Sequence, residues 1–446
     1  MKNLRLLAAM PLLIVGLFAA DSLSTPEQFY PQLDGILKKA VAQSPRMISR
    51  AIDLDMAEND RVAAQAGLLP SVGGSYSYNL SQDKRGDLPD RSNVTKIYYN
   101  FSVTQPIYHW GERRNNARMG DIRKLMAESN YTEAYRLFAQ EVRSLYLRLI
   151  ISKLRADKAA FQNEYSAKQL ARSEERLAKK VISEAQMFGF RMEAERSQIG
   201  AERARFDLEN DKSSFARLTG QPMLADSEIP DVIPAISTQD SAIQGMLSGF
   251  LSQKDAPTPE ALNYRNSLEI EKLSLANQKT RLKPKFNLVV GVSQDEQSYS
   301  LNVAQKYSVN SRYAGISVNW TIFDGFAARS AVRTSLSKLR MMENDYRVLT
   351  DRLAQQAQTQ AKMAGFYARY ASINDRYLDS GEGNVKSKKE EFTRGVIAEE
   401  DVSVAQLGLY DAKINAYSSR ADYYNQVTEF LGTVVQDPVL SNLSVK

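Results

Sequence analysis

Four segments of the chain alternate apolar and polar positions with a period of two residues, two segments in each half. The intervening positions are mostly Ser, Asn, Thr and Gly, with few charges. This pattern predicts four β-strands, each with one apolar face and one small, polar face. The apolar positions are Val72, Gly74, Tyr76, Tyr78 and Leu80; Ile97, Tyr99, Phe101 and Val103; Phe286, Leu288, Val290 and Val292; and Ala314, Ile316, Val318, Trp320 and Ile322.

A long helical segment follows the first strand pair. Residues 112–178 contain no proline and a single glycine, and Phe138, Val142, Leu145 and Leu149 have the spacing of a coiled-coil seam. A helix of this length would extend about 100 Å at ~1.5 Å per residue, which is longer than a globular core is wide. The segment therefore predicts a coiled coil or a helical tube.

The remaining helices and loops follow the same order in both halves. Glycines within 380–383 predict an interruption or kink, and Arg394-Gly395 predicts a break. Polar loops are predicted at 82–93 and 295–311. The other predicted helices cover residues 28–68, the stretch from a break at 180–184 to Leu218, residues 327–378 and residues 399–431.

Much of the first half recurs in the second half at an almost constant offset along the chain. Pro70 recurs as Pro284, and Val181-Ile182 recurs as Val396-Ile397. A repeated unit of this length indicates a duplicated half-domain rather than a short solenoid repeat. The predicted organisation is a first repeat over 23–220, an inter-repeat linker over 221–257, a second repeat over 258–432 and a tail over 433–446.

Composition argues against an enzyme and against a nucleic-acid-binding protein. The net charge of +6 in 446 residues is spread along the chain, whereas a nucleic-acid footprint needs clustered cations. There is no cysteine, and His109 is the only histidine, so disulfides, thiolate sites and multi-histidine metal sites are excluded. No nucleophile elbow or HExxH motif is present. We therefore predict no catalytic site, no cofactor and no metal.

The N-terminus has the pattern of a signal peptide. Lys2 and Arg5 precede an apolar run from Leu6 to Ala20, and small residues follow it. We predict a signal peptide over 1–22 and an exported mature chain. No other stretch approaches the ~20 apolar residues of a spanning helix, so the predicted strands would have to cross any membrane.

Four strands are too few to close a membrane barrel, since even small ones have about eight. An open sheet in lipid would leave its edge amides unpaired. Either the strands lie outside a membrane, or several chains supply them, and three chains would supply twelve. The predicted fold class is an α+β membrane protein: a trimeric 12-stranded β-barrel with four strands per chain, a long α-helical barrel of coiled coils, and an internal duplication.

Several short motifs, in this order, resemble the TolC family of outer-membrane efflux proteins. They are Leu68-Leu69-Pro70 and Leu282-Lys283-Pro284 before the strand pairs, Pro106-Ile107-Tyr108 and Ile322-Phe323-Asp324-Gly325 after them, Leu218-Thr219-Gly220, and the stretch from Gly395 to Gln406. The resemblance implies a homotrimeric channel-tunnel in outer-membrane lipid that extends into the periplasm. It would dock a periplasmic adaptor and an inner-membrane pump, proton-driven or ATP-driven, as the exit duct for efflux or type I secretion.

The resemblance also implies a periplasmic gate in the second half. Asp401 matches the first carboxylate of the family's gate, while Val404 occupies the position of the second carboxylate. Glu399 and Glu400 directly precede Asp401. The alternative is that these acids only favour a helix start. Lys180, Gln186 and Ile397 stand where the family has a polar latch, so no salt-bridge latch is predicted, although Arg394 could pair with an acid.

Two further surfaces are predicted from the same resemblance. Docking tips would comprise Lys180, Val181, Ile182, Ser183, Arg394, Gly395, Val396, Ile397 and Ala398, since apolar residues at a helix break need a cover; the alternative is that they pack on each other. Membrane-interface aromatics would be Tyr76, Tyr78, Tyr99, Trp110 and Trp320, with ordinary corner packing as the alternative.

The competing hypothesis from the residues alone is an exported coiled-coil structural or adaptor protein with a small β domain. It explains the helices and the signal peptide. It does not explain why strand pairs recur in both halves with so few charges. Heat-modifiable trimers in an outer-membrane fraction would favour the channel, and extraction by salt alone would favour the competing hypothesis.

Overall fold

The computed structural model describes residues 23–84, 92–237, 240–253, 255–299 and 307–443. The predicted signal peptide, residues 1–22, lies outside the described residues. The chain forms two compact units. Of the described residues, the first unit contains 23–39, 139–253 and 355–437, and the second contains 40–138, 255–354 and 438–443.

The second unit contains one antiparallel sheet in the order β1-β2-β3-β4. The central pair joins the two halves of the chain, with Phe101 opposite Val292. The predicted loop over 295–311 is too long, because pairing with β2 continues until Val94 lies opposite Tyr299. The strands are β1 (Ser71–Asp83), β2 (Ser92–Tyr108), β3 (Lys285–Tyr299) and β4 (Tyr307–Asn319).

Two glycines in the sheet each lie beneath an aromatic ring of the neighbouring strand. A Cβ on Gly74 would lie 2.7 Å from the Phe101 ring, and a Cβ on Gly291 would lie 2.5 Å from the Tyr313 hydroxyl. A larger residue would displace either ring, so both positions favour glycine. The Tyr313 hydroxyl also donates to Asn100 Oδ1 at 2.8 Å, which ties β4 to β2 across β3.

Nine α-helices occur in the described parts of the chain. The single helix predicted over 28–68 is divided into three, because Pro31 and Pro45 lack an N–H and each begins a new helix. The helices are α1 (Pro26–Phe29), α2 (Pro31–Gln43), α3 (Pro45–Ala66), α4 (Glu112–Ala178), α5 (Glu184–Thr219), α6 (Asp240–Leu251), α7 (Pro259–Lys279), α8 (Ala327–Thr393) and α9 (Glu399–Thr433).

The predicted kink at 380–383 is wrong, since α8 is continuous. Gly381 lies inside the helix, on the side that faces α9. A Cβ there would lie 3.5 Å from Ala412 and Leu409 of α9, which is ordinary contact distance, so there is room for little more than a methyl group. Among the described helices, none combines the length and the apolar character needed to cross a bilayer.

Left-handed backbone conformations occur in pairs along the described chain. Every pair has the same sequence separation, and one member is a glycine while the other is not. A non-glycine residue adopts this conformation only when the surrounding structure imposes it. The same turns are therefore built at equivalent places in both halves. The pairs are Trp110 with Gly325, Gly111 with Phe326, Lys180 with Gly395, and Gly220 with Val435.

A fully buried arginine fastens both ends of the described chain to α4 in the first unit. Arg143 Nε donates to Glu27 at 2.9 Å, and its terminal nitrogens donate to the two Asp437 oxygens at 2.7 and 2.9 Å. Burial alone would lower the pKa of Arg143, but hydrogen bonds and charge pairing with Asp437 and Glu27 outweigh it and raise the pKa above its ordinary value. Removing this charge would leave the buried Asp437 carboxylate and the partly buried Glu27 carboxylate without a cation.

We predict that Arg143→Met destabilises the protein by about 3–5 kcal/mol, because it leaves the partner carboxylates of a buried ion pair unmatched. The matched control is Arg118→Met on the same helix. Arg118 pairs with Glu269 at the surface, where such a pair contributes roughly 0–1 kcal/mol. Thermal unfolding of both purified variants checks this, and equal losses would contradict a special role for Arg143.

Candidate channel gate and docking tip

The first tip turn joins α4 to α5 through two backbone motifs. At the end of α4, Lys180 has φ +56° and the Val181 N–H donates to the Arg176 carbonyl at 2.8 Å, which is a Schellman motif. At the start of α5, Ser183 and Gln186 form a reciprocal capping box. Gln186, at the position of a family latch residue, therefore caps its own helix.

The second tip turn joins α8 to α9 with the same geometry. Gly395 has φ +74°, and the Val396 N–H donates to the Glu391 carbonyl at 3.0 Å. The Ala398 N–H donates to Asp401 Oδ2 at 3.2 Å. Ala398 has no side-chain oxygen to return the bond, so Asp401 supplies only half of the capping box.

Apolar side chains project from both turns. Val181 is 62% exposed and Val396 is 71% exposed, while Ile182 and Ile397 are half-buried. The other predicted docking residues, Lys180, Ser183, Arg394, Gly395 and Ala398, are exposed. The two valines are thus not covered by packing within the chain, which was the alternative to a docking surface.

The three acidic residues of the predicted gate lie together in the first turn of α9 but face different partners. Asp401 caps its own helix, as the helix-start alternative predicts. Glu399 accepts a hydrogen bond from Arg172 at 2.5 Å, and Glu400 accepts one from the Tyr165 hydroxyl at 3.2 Å. Both donors belong to α4.

The side-chain contacts between α4 and α9 were not predicted from the sequence. Lys158, Tyr165 and Arg172 follow one another at heptad spacing, so they share one face of α4. Lys158 donates to Asp411 at 2.5 Å. Burial, followed by the nearby Glu400 carboxylate, raises the pKa of Tyr165. The heptad spacing of these polar residues could have indicated a contact face on α4. It could not identify their partners, because those residues lie in the other half of the chain.

Among the described residues, Arg394 has no carboxylate partner, although the sequence allowed one. Its Nε donates to the Glu390 main-chain carbonyl at 3.3 Å. The residue lines a groove of about 920 Å³ along α8 and α9, together with apolar Val385 and Leu409 and charged Lys386. The groove lies directly beside the second tip turn.

Both tryptophans lie at the end of the sheet where β3 begins. The Trp110 indole N–H donates to the Pro284 carbonyl at 2.8 Å, and the Trp320 indole N–H donates to the Leu282 carbonyl at 3.0 Å. Lys283 lies over the Trp110 ring at 4.4 Å. The two rings thus lie at the same level of the sheet, although they belong to different halves of the chain.

The predicted tyrosines lie at a second level, farther along the strands. Tyr76 is opposite Tyr99, whose hydroxyl donates to Gln294 at 2.6 Å. Tyr76 and Tyr78 are 68% and 52% exposed. Asn310 shares the level of Tyr76, so about ten residues of β4 separate this level from Trp320. At ~3.4 Å per residue the two levels are roughly 34 Å apart along the strand, and a tilt of about 40° in a closed barrel would bring this to roughly 26 Å along the barrel axis.

An exposed apolar band occupies the face between these two levels. The register aligns Val72, Val103, Val290 and Ala314 in one row across all four strands. Exposure reaches 76% for Val72 and 65% for Ile316 in the next row. An exposed apolar band between two aromatic levels is the pattern expected of transmembrane strands whose outer face contacts lipid.

One protein-family model matches part of the chain. The family model for "Outer membrane efflux protein" matches residues 36–179. No curated protein sequence matches the chain. The family match and the shared fold described next confirm the resemblance to TolC-family outer-membrane efflux proteins.

Solved outer-membrane channels have the same fold over nearly the whole chain. The Campylobacter jejuni CmeC channel is 13% identical, with a TM-score of 0.72 over 95% of this chain and 91% of that one. Vibrio cholerae VceC is 12% identical, with a TM-score of 0.64 over 93% and 99%. The open state of Neisseria gonorrhoeae MtrE is 11% identical, with a TM-score of 0.64 over 91% and 89%. At these identities the likeness shows the fold.

Proposed function

We propose that this protein is an outer-membrane efflux channel, a passive conduit that crosses the outer membrane and extends into the periplasm. The exposed apolar band on an open four-stranded sheet carries this proposal. A secreted coiled-coil protein would have no reason to expose Val72, Phe101 and Ile316 on one face. A wall facing lipid requires such a surface.

The working form is a homotrimer whose three sheets close one 12-stranded barrel. Support comes from the two hairpins: Ser71 lies opposite Thr104, and Lys285 lies opposite Asn319, so the register of the first hairpin recurs in the second at an almost constant offset. The paired left-handed turns recur at that offset too. An internal duplication accounts for both. Each chain then supplies two equivalent hairpins, and three chains supply six.

The experiment that tests the function is purification from fractionated membranes followed by reconstitution in planar bilayers. The expected result is a trimer in the outer-membrane fraction that dissociates only on heating and conducts ions. Release of the protein by salt alone, or a bilayer without conductance, would instead favour the structural coiled-coil hypothesis.

The gate proposal places three copies of Asp401, with Glu399 and Glu400, around the periplasmic entrance. We predict that Asp401→Asn lowers the preference of the channel for cations, because three negative charges are removed while the capping oxygen remains. Asp401→Glu keeps the charge and is the matched control. Reversal potentials in a salt gradient measure the change. Identical selectivity in the wild type and Asp401→Asn would remove Asp401 from the gate.

The docking proposal assigns the exposed tip valines to a periplasmic adaptor, which would connect the channel to an inner-membrane pump. We predict that Val181→Asp with Val396→Asp abolishes efflux, because charge would prevent burial of both tips. The trimer should persist, since neither valine is buried within the chain. Val181→Ile with Val396→Ile is the control. Dye efflux in intact cells measures the effect, and normal efflux by the aspartate variant would exclude docking through these residues.

A further inference from the structure

A small cavity in the second unit combines arginines with apolar side chains where β2 meets α4. Its volume is about 270 Å³. Tyr108, on its wall, is opposite Phe286 on the apolar face of the sheet, and its ring packs edge-on against Trp110 with centroids 4.8 Å apart. The cavity therefore lies at the level of the two tryptophans, at one edge of the apolar band. Its lining includes Leu68, Ile107, Tyr108, His109, Arg113 and Arg114.

The apolar part of the lining is exposed in the single chain. Leu68, Ile107 and Tyr108 are 40%, 55% and 50% exposed, and Leu69, next to the cavity in the sequence, is 63% exposed. Apolar and aromatic side chains at the end of a transmembrane strand lie at the level of the lipid headgroups. In a membrane, acyl chains would cover these residues, and headgroup phosphates would lie beside the cavity.

A short chain of hydrogen bonds orients one of the two arginines. The buried His109 bonds through Nε2 to Asn287 Oδ1 at 2.9 Å, and because an amide oxygen only accepts, Nε2 carries the proton. The other ring nitrogen, Nδ1, therefore accepts from Arg113 Nε at 3.4 Å. This contact uses one of the five N–H donors of the guanidinium, so its terminal nitrogens are left to bind something else.

The positive charge of the cavity is not balanced within the described chain. No described carboxylate pairs with Arg113 or Arg114. The adjacent acidic residue, Glu112, pairs instead with Lys285 at 2.5 Å. Two neighbouring guanidinium groups without a carboxylate favour an anion, and their forked donors match the oxygens of a phosphate group.

The equivalent place in the second half of the chain has the opposite charge. At the separation that relates Trp110 to Gly325, His109 corresponds to Asp324 and Arg113 to Ala328. Asp324 pairs with Arg281 at 3.5 Å and accepts from the Ala328 N–H at 2.9 Å. A carboxylate there would repel an anion. The cationic cavity is therefore specific to the first half and is not a requirement of the turn that both halves share.

We infer that this cavity binds the phosphate group of an anionic phospholipid through Arg113 and Arg114. The inference rests on the proposed outer-membrane location and adds one headgroup site per chain, at the periplasmic edge of the barrel. The cavity is smaller than most sites for whole ligands, which measure ~300–1,000 Å³, so it accommodates a headgroup and leaves the acyl chains against Ile107 and Tyr108. Two unbalanced cations favour a headgroup with net negative charge, such as phosphatidylglycerol, over a zwitterionic one.

Lipid titration of the delipidated protein in detergent tests the site, with bound lipids counted by native mass spectrometry. Dioctanoyl phosphatidylglycerol should bind with one specific molecule per chain, and more tightly than dioctanoyl phosphatidylcholine. Arg113→Gln with Arg114→Gln should raise the Kd for phosphatidylglycerol about tenfold or more, because charge-assisted hydrogen bonds to the phosphate are lost. Arg329→Gln is the matched control, since Arg329 is the counterpart of Arg114 in the second half, and it should leave this Kd unchanged.

The outcomes separate this inference from the proposed function. In a conducting outer-membrane protein, equal phosphatidylglycerol binding by the wild type and the double variant, or equal loss in Arg329→Gln, would overturn the lipid site alone. Glycerol phosphate that binds as tightly as the lipid would indicate a site for free phosphate and would also overturn it. So would a changed reversal potential with unchanged lipid binding, which would place the arginines in the conduit. Release of the protein from membranes by salt alone would contradict the proposed function itself.

Discussion

The open edges of the four-stranded sheet constrain the rest of this molecule. Within the described chain, β1 and β4 each pair on one side only, and the face between them carries an apolar band. In lipid each unpaired backbone group costs several kcal/mol, and in water the exposed apolar band is unfavourable. Neither environment suits the isolated chain. The proposed pairing of β4 of one copy with β1 of another would satisfy both edges while the band faces lipid.

The long helices also expose apolar surface in the single chain, through side chains rather than unpaired backbone groups. Alanines line the buried face of α8, while large apolar residues on the opposite face are exposed in the single chain. Schellman and capping motifs fix the helix ends at the two tip turns. Ion pairs with Arg143 fix the two ends of the described chain. The helix ends are therefore fixed within one chain, and the surfaces that remain exposed include those that the proposed assembly would cover.

Sequence periodicity was enough to predict all four strands and the long helices, because both periods are strong and uninterrupted. Periodicity gave wrong helix boundaries at glycine and proline, because each of these residues occurs both within helices and at helix ends. Glycine at 381 suggested a kink but lies against α9 within a continuous helix. Prolines at 31 and 45 were inside a helical pattern but divide it. The contacts of Glu399 and Glu400 with Arg172 and Tyr165 depend on tertiary packing that no local pattern encodes.

The most direct test of the account is a cross-link across the proposed seam between sheets. The β2–β3 contact of Phe101 with Val292, moved by the repeat offset, places Ile316 of one subunit opposite Tyr78 of the next. Opposed residues have Cβ atoms about 5 Å apart. Tyr78→Cys with Ile316→Cys should therefore give a covalent trimer in outer membranes, and Val72→Cys with Ile316→Cys should not. A folded protein in which the first pair stays reduced, or the second cross-links instead, would contradict the closed barrel of three sheets.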